Sequence, residues 1–173
     1  SATIPEMTAD YQAEATLIKT PAGSVSSLRD FSVLTPMQRA ARQNIALNRT
    51  VKASTFLKKD ITSSPAEYSV DSDRNTAWKS EKGNPQWLAV DLGEMQAISR
   101  IELSWDWGIS SKSFLIQSSA DGESWDNVKS VNEVSLRTTT IRFPATQTRW
   151  IRLFFTGKDN GEGYTITDFA VYH

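Results

Sequence analysis

The chain has 173 residues, 39% of them hydrophobic, which is enough for one domain with a flank and a real buried core. A formal net charge of −1 gives no electrostatic reason to expect nucleic acid or an anionic membrane surface, and no apolar run is long enough for a membrane helix. The absence of cysteine excludes disulfides, thiolate metal sites and cysteine nucleophiles.

Residues 1–43 carry Pro5, Pro21, Gly23, Pro36 and a serine-rich turn at Ser24, Ser26 and Ser27, but no tryptophan. They are expected to be a linker or the tail of a preceding domain. Val25, Leu28, Phe31, Val33 and Leu34 could supply a short strand, and Pro36 at a first helical turn predicts a short helix through Met37–Gln43. Ser1 in place of methionine, with no signal peptide at the start, points to a processed or excised piece of a longer protein.

From Asn44 onward the pattern is short alternating strands separated by turns, which predicts an all-β sandwich. Leu88, Val90 and Leu92 share one strand face, with Ala89 and Asp91 on the other. Ile101, Leu103 and Trp105 share a face, as do Phe114 and Ile116, and Asp121–Gly122 is a hairpin signal. Ile141 and Phe143, then Ile151, Leu153 and Phe155, then Phe169 and Val171 complete the alternating runs. Trp150 is out of phase with Ile151 and Leu153, which places it on the outer sheet face. Trp78, Trp87, Trp125 and Trp150 are expected to be structural, because aromatic side chains bury large areas.

No catalytic constellation is present. The only histidine is the last residue, His173, which removes most Ser-His-Asp, histidine-metal and histidine acid–base schemes. The acidic residues fall in turns or on solvent-facing strand positions, and no glycine-rich phosphate loop precedes a helix. A binding module is expected instead of an enzyme. The loop before Trp78 is rich in oxygen donors (Asp71, Ser72, Asp73, Asn75 and Thr76) of the kind a hard cation such as calcium takes. A tight Asx-turn network without metal is the alternative reading of the same residues.

The ordered set NIALNRTVKAST (44–55), VDSDRNTAWKS (70–80), NPQWLAVDLG (84–93), RIELSW (100–105), FLIQSSADGESW (114–125), TRWIRLFF (148–155) and GYTITDFAVY (163–172) resembles the coagulation factor 5/8 C-type, or discoidin, domain. More narrowly, it is similar to family 32 carbohydrate-binding modules of bacterial glycosidases. The resemblance covers residues 44–173. It implies a jelly-roll β-sandwich of the galactose-binding-domain-like type, with a ligand site in the loops at one end and a structural calcium beside it. On that resemblance Asp71 and Asp168 supply carboxylate ligands, Tyr68 and Asp73 supply carbonyls, and Thr76 supplies hydroxyl and carbonyl. The family usually carries glutamate at the Asp168 position.

Galactose-binding members have a histidine just after the tryptophan equivalent to Trp78, where this chain has Lys79 and Ser80. That departure leaves other sugars open. The resemblance points to Trp107 as a stacking platform, with Asp106 accepting from sugar hydroxyls. It adds Tyr164, Asp159 and Asn160 from the last ligand loop, and Lys79, Lys82 and Asn84 from the loop after Trp78. Each has a plainer alternative, in packing for the aromatics and in solvation or turn formation for the polar residues.

The implied function is a non-catalytic module that binds glycans through terminal sugars. It would be joined covalently to a glycosidase or another glycan-handling protein in a secreted, periplasmic or cell-surface setting. A docking discoidin domain, with Phe56 and Leu57 as apolar spikes, or a spacer without ligand remain the other readings.

Overall fold

The computed structural model describes residues 35–40, 42–59, 62–106, 112–134, 137–157 and 163–173. The chain divides into two units, Ser1–Gln43 and Asn44–His173. In the first, helix α1 spans Pro36–Ala40, and Thr35 caps it by accepting from the Gln38 backbone N–H through Oγ1. No helix among the described residues is long and apolar enough to cross a membrane.

The second unit is antiparallel throughout. Its strands are β1 (Thr50–Ala53), β2 (Lys58–Lys59), β3 (Thr62–Ser63), β4 (Trp78–Lys79), β5 (Gln86–Trp105), β6 (Lys112–Ser119), β7 (Asp126–Val134), β8 (Thr138–Phe155) and β9 (Thr165–Tyr172). The hydrogen-bonded order is β4-β9-β5-β8-β6-β7, with β1 also on β5 and β2 paired only with β3.

Two long strands make this a sandwich. The first part of β5, Gln86–Asp91, pairs with Trp150–Phe155 of β8 and with β1. Its last part, Arg100–Ser104, pairs with Thr138–Arg142 of β8 and with β9. Register breaks between Asp91 and Gln96 and between Ile98 and Arg100 let the ribbon turn, so β5 and β8 each serve both layers. Leu88, Val90 and Leu92 from one half of β5 therefore meet Ile101, Leu103 and Trp105 from the other in a single core, as the alternation predicts.

The tryptophans sort by strand phase. Trp78 and Trp105 lie in the core, and Trp150 is nearly buried on the opposite face of β8 from Ile151. There the Lys52 ammonium stands 5.0 Å from the Trp150 ring centre. Trp87 and Trp125 are half-buried, and both flank the Arg152 guanidinium, which lies 4.0 Å from the Trp125 ring. The Asp121–Gly122 turn joins β6 to β7 as expected, with Asp121 Oδ1 accepting from the backbone N–H groups of Glu123 and Ser124. At one edge of the fold the two ends of this unit meet. The Ile45 N–H donates to the Val171 carbonyl at 2.9 Å, and the Val171 N–H donates to Asn44 Oδ1 at 3.1 Å.

Candidate functional site

The loop between the 3-10 turn Ala66–Ser69 and β4 carries three of the expected cation ligands, Asp71, Asp73 and Thr76, with Tyr68 in the turn itself and Asp168 on β9. Its shape is fixed from within. Asp71 Oδ1 accepts from the Asp73 N–H at 2.9 Å, and Asp71 Oδ2 accepts from Thr76 Oγ1 at 2.7 Å. Asp73 Oδ1 accepts from the Asn75 N–H and side-chain amide, and the Asp73 carbonyl accepts from Thr76. Ser72 takes φ 60°, left-handed backbone that an L side chain adopts at a cost of roughly 1 kcal/mol.

These bonds are the Asx-turn network read from the sequence as the alternative to a metal site. One observation goes beyond that network. Asp168, on β9 opposite Ser104 of β5, has a buried carboxylate oxygen, Oδ1, with no hydrogen-bond partner. Burial pushes its carboxyl above the usual carboxylate range; Arg74 opposes this, while Asp71 and Glu102 add to it by like-charge repulsion. A buried carboxylate oxygen without a partner is unfavourable, and either a proton or a bound cation relieves it. Among the described residues no three His, Cys, Asp or Glu side chains form a metal cluster. The donors a calcium ion would draw on here are the Asp71 and Asp168 carboxylates with the Tyr68, Asp73 and Thr76 oxygens, all of the type calcium takes.

Beside this loop a shallow, open depression of about 260 Å³ is lined by Tyr68, Arg74, Thr76, Lys79, Asp106 and Thr167, with Ser63, Ser64, Asn75 and Ala77. Its size suits one or two sugar rings more than a drug-sized ligand, whose pockets run about 300–1,000 Å³. The structure thus brings Lys79 and Asp106 together, their charged groups 3.6 Å apart and each side chain about two-fifths exposed. Lys79 is placed by β4 pairing, Lys79 with Thr165, and Asp106 by the end of β5.

Other expected sugar ligands separate from these. Lys82 is exposed in the next turn, outside the depression. Asn84 is committed to the protein: its Nδ2 donates to the Gly157 carbonyl, and its Oδ1 accepts from Tyr164 Oη at 2.8 Å. Tyr164 requires a correction. It is 1% exposed, and its ring stacks on Phe155 with centroids 4.3 Å apart, so it offers no face to a sugar. Trp107, Asp159 and Asn160 lie outside the described residues.

Sequence reasoning missed two residues. Tyr68 is read from the sequence only for its carbonyl, yet its side chain is 36% exposed and is the one aromatic among the described residues lining the depression. Arg74 drew no attention inside a loop read for its oxygens. Only placement beside Lys79 and Asp106 makes either visible.

Next to Lys79 in sequence, the Ser80 N–H donates to the Tyr164 carbonyl at 2.9 Å, and the Tyr164 N–H donates to Ser80 Oγ at 2.9 Å. Gly163 packs into this junction at φ +78°. A Cβ there would lie 2.7 Å from the Ser80 carbonyl and 2.9 Å from that of Glu81. Gly163→Ala is expected to cost about 2–3 kcal/mol, combining left-handed strain with displaced backbone. Thermal denaturation should show a fall of about 8 °C for a domain of this size.

Residues 50–168 match the F5/8 type C domain. The chain belongs to that family. This F5/8 type C domain is 30% identical to chitosan-binding module 1 of a chitosanase/glucanase from Paenibacillus sp. IK-5, over 76% of this chain and 99% of that one, with a TM-score of 0.68. It is also 30% identical to chitosan-binding module 2 derived from a chitosanase/glucanase of the same organism, solved with chitotriose, over 75% of this chain and 100% of that one at a TM-score of 0.67. The curated relatives match over shorter stretches. The nuclear receptor 2C2-associated protein of Danio rerio is 26% identical over 72 residues, 42% of this chain and 51% of that protein. The polysaccharide lyase 8 family protein HylA of Enterococcus faecalis is 39% identical over 62 residues, 36% of this chain and 4% of that protein. The aligned stretch of this F5/8 type C domain spans about half of the first and a small part of the second.

Proposed function

We propose that this F5/8 type C domain is a non-catalytic carbohydrate-binding module that tethers a covalently linked glycan-processing enzyme to its substrate outside the cell. The observation that carries the reading is the open polar depression at the loop end, where Tyr68 offers an aromatic face beside the hydrogen-bonding groups of Lys79 and Asp106. Aromatic faces pack against the C–H face of a sugar ring while polar side chains bond its hydroxyls. The similarity to two chitosan-binding modules supports the same reading.

A structural calcium belongs to the proposal. Asp71 and Asp168 would hold it with the Tyr68, Asp73 and Thr76 oxygens. When bound, the cation supplies charge neutralisation and a rigid floor for the loop that carries Tyr68 and Arg74.

A single shallow site of this kind binds weakly, with Kd of roughly 0.1–1 mM. Its effect comes from raising the local concentration of a linked catalytic domain at a polymer surface. A glycan-array screen of the chain in calcium is expected to give binding to a restricted set of terminal sugars. A blank array from protein shown to be folded would reject the reading.

A further inference from the structure

The depression has a charge pattern that bears on its ligand. Its described lining holds two cationic side chains, Arg74 and Lys79, and one carboxylate, Asp106. Lys79 and Asp106 face each other at 3.6 Å, a long, half-exposed ion pair of the kind that contributes little. Arg74 is exposed, and it makes no hydrogen bond or ion pair with any described residue. Its charge acts on Asp168 through space, without a hydrogen bond. An unpartnered guanidinium offers a planar fork of donors that matches a carboxylate or sulfate two bonds at a time. Tyr68 stands at the same depression and is the aromatic among its described lining residues.

We propose that this site selects an acidic sugar, with the ring against Tyr68 and its carboxylate or sulfate held by Arg74 and assisted by Lys79. The inference rests on the carbohydrate-binding reading and sharpens it. It also separates this domain from its chitosan-binding relatives. A glucosamine ammonium would meet two cations here and a carboxylate already facing Lys79, so a protonated amino sugar is disfavoured.

The test is isothermal titration of the full chain, in calcium and low salt, with four trisaccharides: a hexuronate, its carboxyl-reduced neutral counterpart, a sulfated galactan fragment and chitotriose. The hexuronate or the sulfated fragment should bind about tenfold more tightly than the neutral sugar, the scale of one charge-assisted hydrogen-bonded pair. Which of these two binds identifies the anion. Raising sodium chloride should weaken only the acidic ligand. Arg74→Gln, at an exposed position, should remove the preference and bring the acidic ligand's affinity down to that of the neutral sugar, whereas Tyr68→Ala should weaken every ligand.

Equal binding of acidic and neutral sugars, tighter binding of chitotriose, or a preference that survives Arg74→Gln would overturn the acidic-sugar inference while leaving a glycan-binding module in place. No binding of any sugar by folded protein would remove both.

Discussion

Replacing Phe155 with alanine should destabilise the domain by about 3–5 kcal/mol, the range found for deletion of a buried phenylalanine. Phe155 is fully buried at the last position of β8, and four aromatic rings converge on it. Their centroids lie 4.3 Å away for Tyr164, 5.4 Å for Phe114, 6.2 Å for Trp105 and 6.4 Å for Trp78. Those rings come from β6, the end of β5, β4 and the segment leading into β9, so one side chain joins both layers at the site end. Its loss leaves a cavity that rigid neighbours fill poorly. Equilibrium urea denaturation measures the effect. The control is Phe154→Ala, one residue earlier on the opposite, half-exposed face, where a clearly smaller loss is expected. Equal losses at the two positions would contradict the hub.

Removal of calcium is the second large effect. If the proposed site is filled, the ion stabilises the folded state by about 2.7 kcal/mol at a hundredfold excess over Kd and by about 4 kcal/mol at a thousandfold excess. A chelator should lower the melting temperature accordingly, and added calcium should restore it, whereas magnesium fits a loose oxygen cage less well.

Asp168→Asn sharpens the experiment because it changes sign. In chelated protein the substitution relieves an orphaned, repelled carboxylate and should stabilise the fold. In calcium it removes a ligand charge and should destabilise it. The pH dependence of the chelated protein follows the same logic. The raised Asp168 carboxyl makes its contribution most favourable below the ordinary value of 3.8, and that benefit is lost as pH rises through the higher folded value. Asp168→Asn with the same effect in both conditions would leave the Asx-turn network without a metal.

The strands that read clearly from the sequence were those whose alternation is set by burial alone. Leu88, Val90 and Leu92, or Ile151, Leu153 and Phe155, need no knowledge of their partners to announce an inward face, and all are buried. The continuity of β5 and β8 was not legible. Each reads as two alternating runs, and only pairing across the register breaks joins them into one strand. The two-residue strand β4 exists through the pairing of Trp78 with Ile166, far away in sequence, while β2 and β3 pair only with each other and carry no alternation long enough to read.

The site was half legible for a similar reason. Residue type marks the oxygen donors of the Asp71–Thr76 loop, and the neighbouring strands bring Lys79 to Asp106. Tyr164 misled because an aromatic in a polar loop reads as exposed. It is buried by Phe155 and anchored by Asn84, 80 positions earlier. Arg74 looks like one more solvated turn residue until its place beside Lys79 in the depression is seen.

The hydrogen bonds that tie Asn44 and Ile45 to Val171 bring the entering segment of the domain beside its last strand. A domain whose ends meet at one seam can be carried as a side branch on a longer polypeptide without separating the segments on either side of it. The same seam makes it a candidate for circular permutation. New termini could be opened at the exposed Asp121–Glu123 turn, away from the depression, while the old ones are joined across a short span.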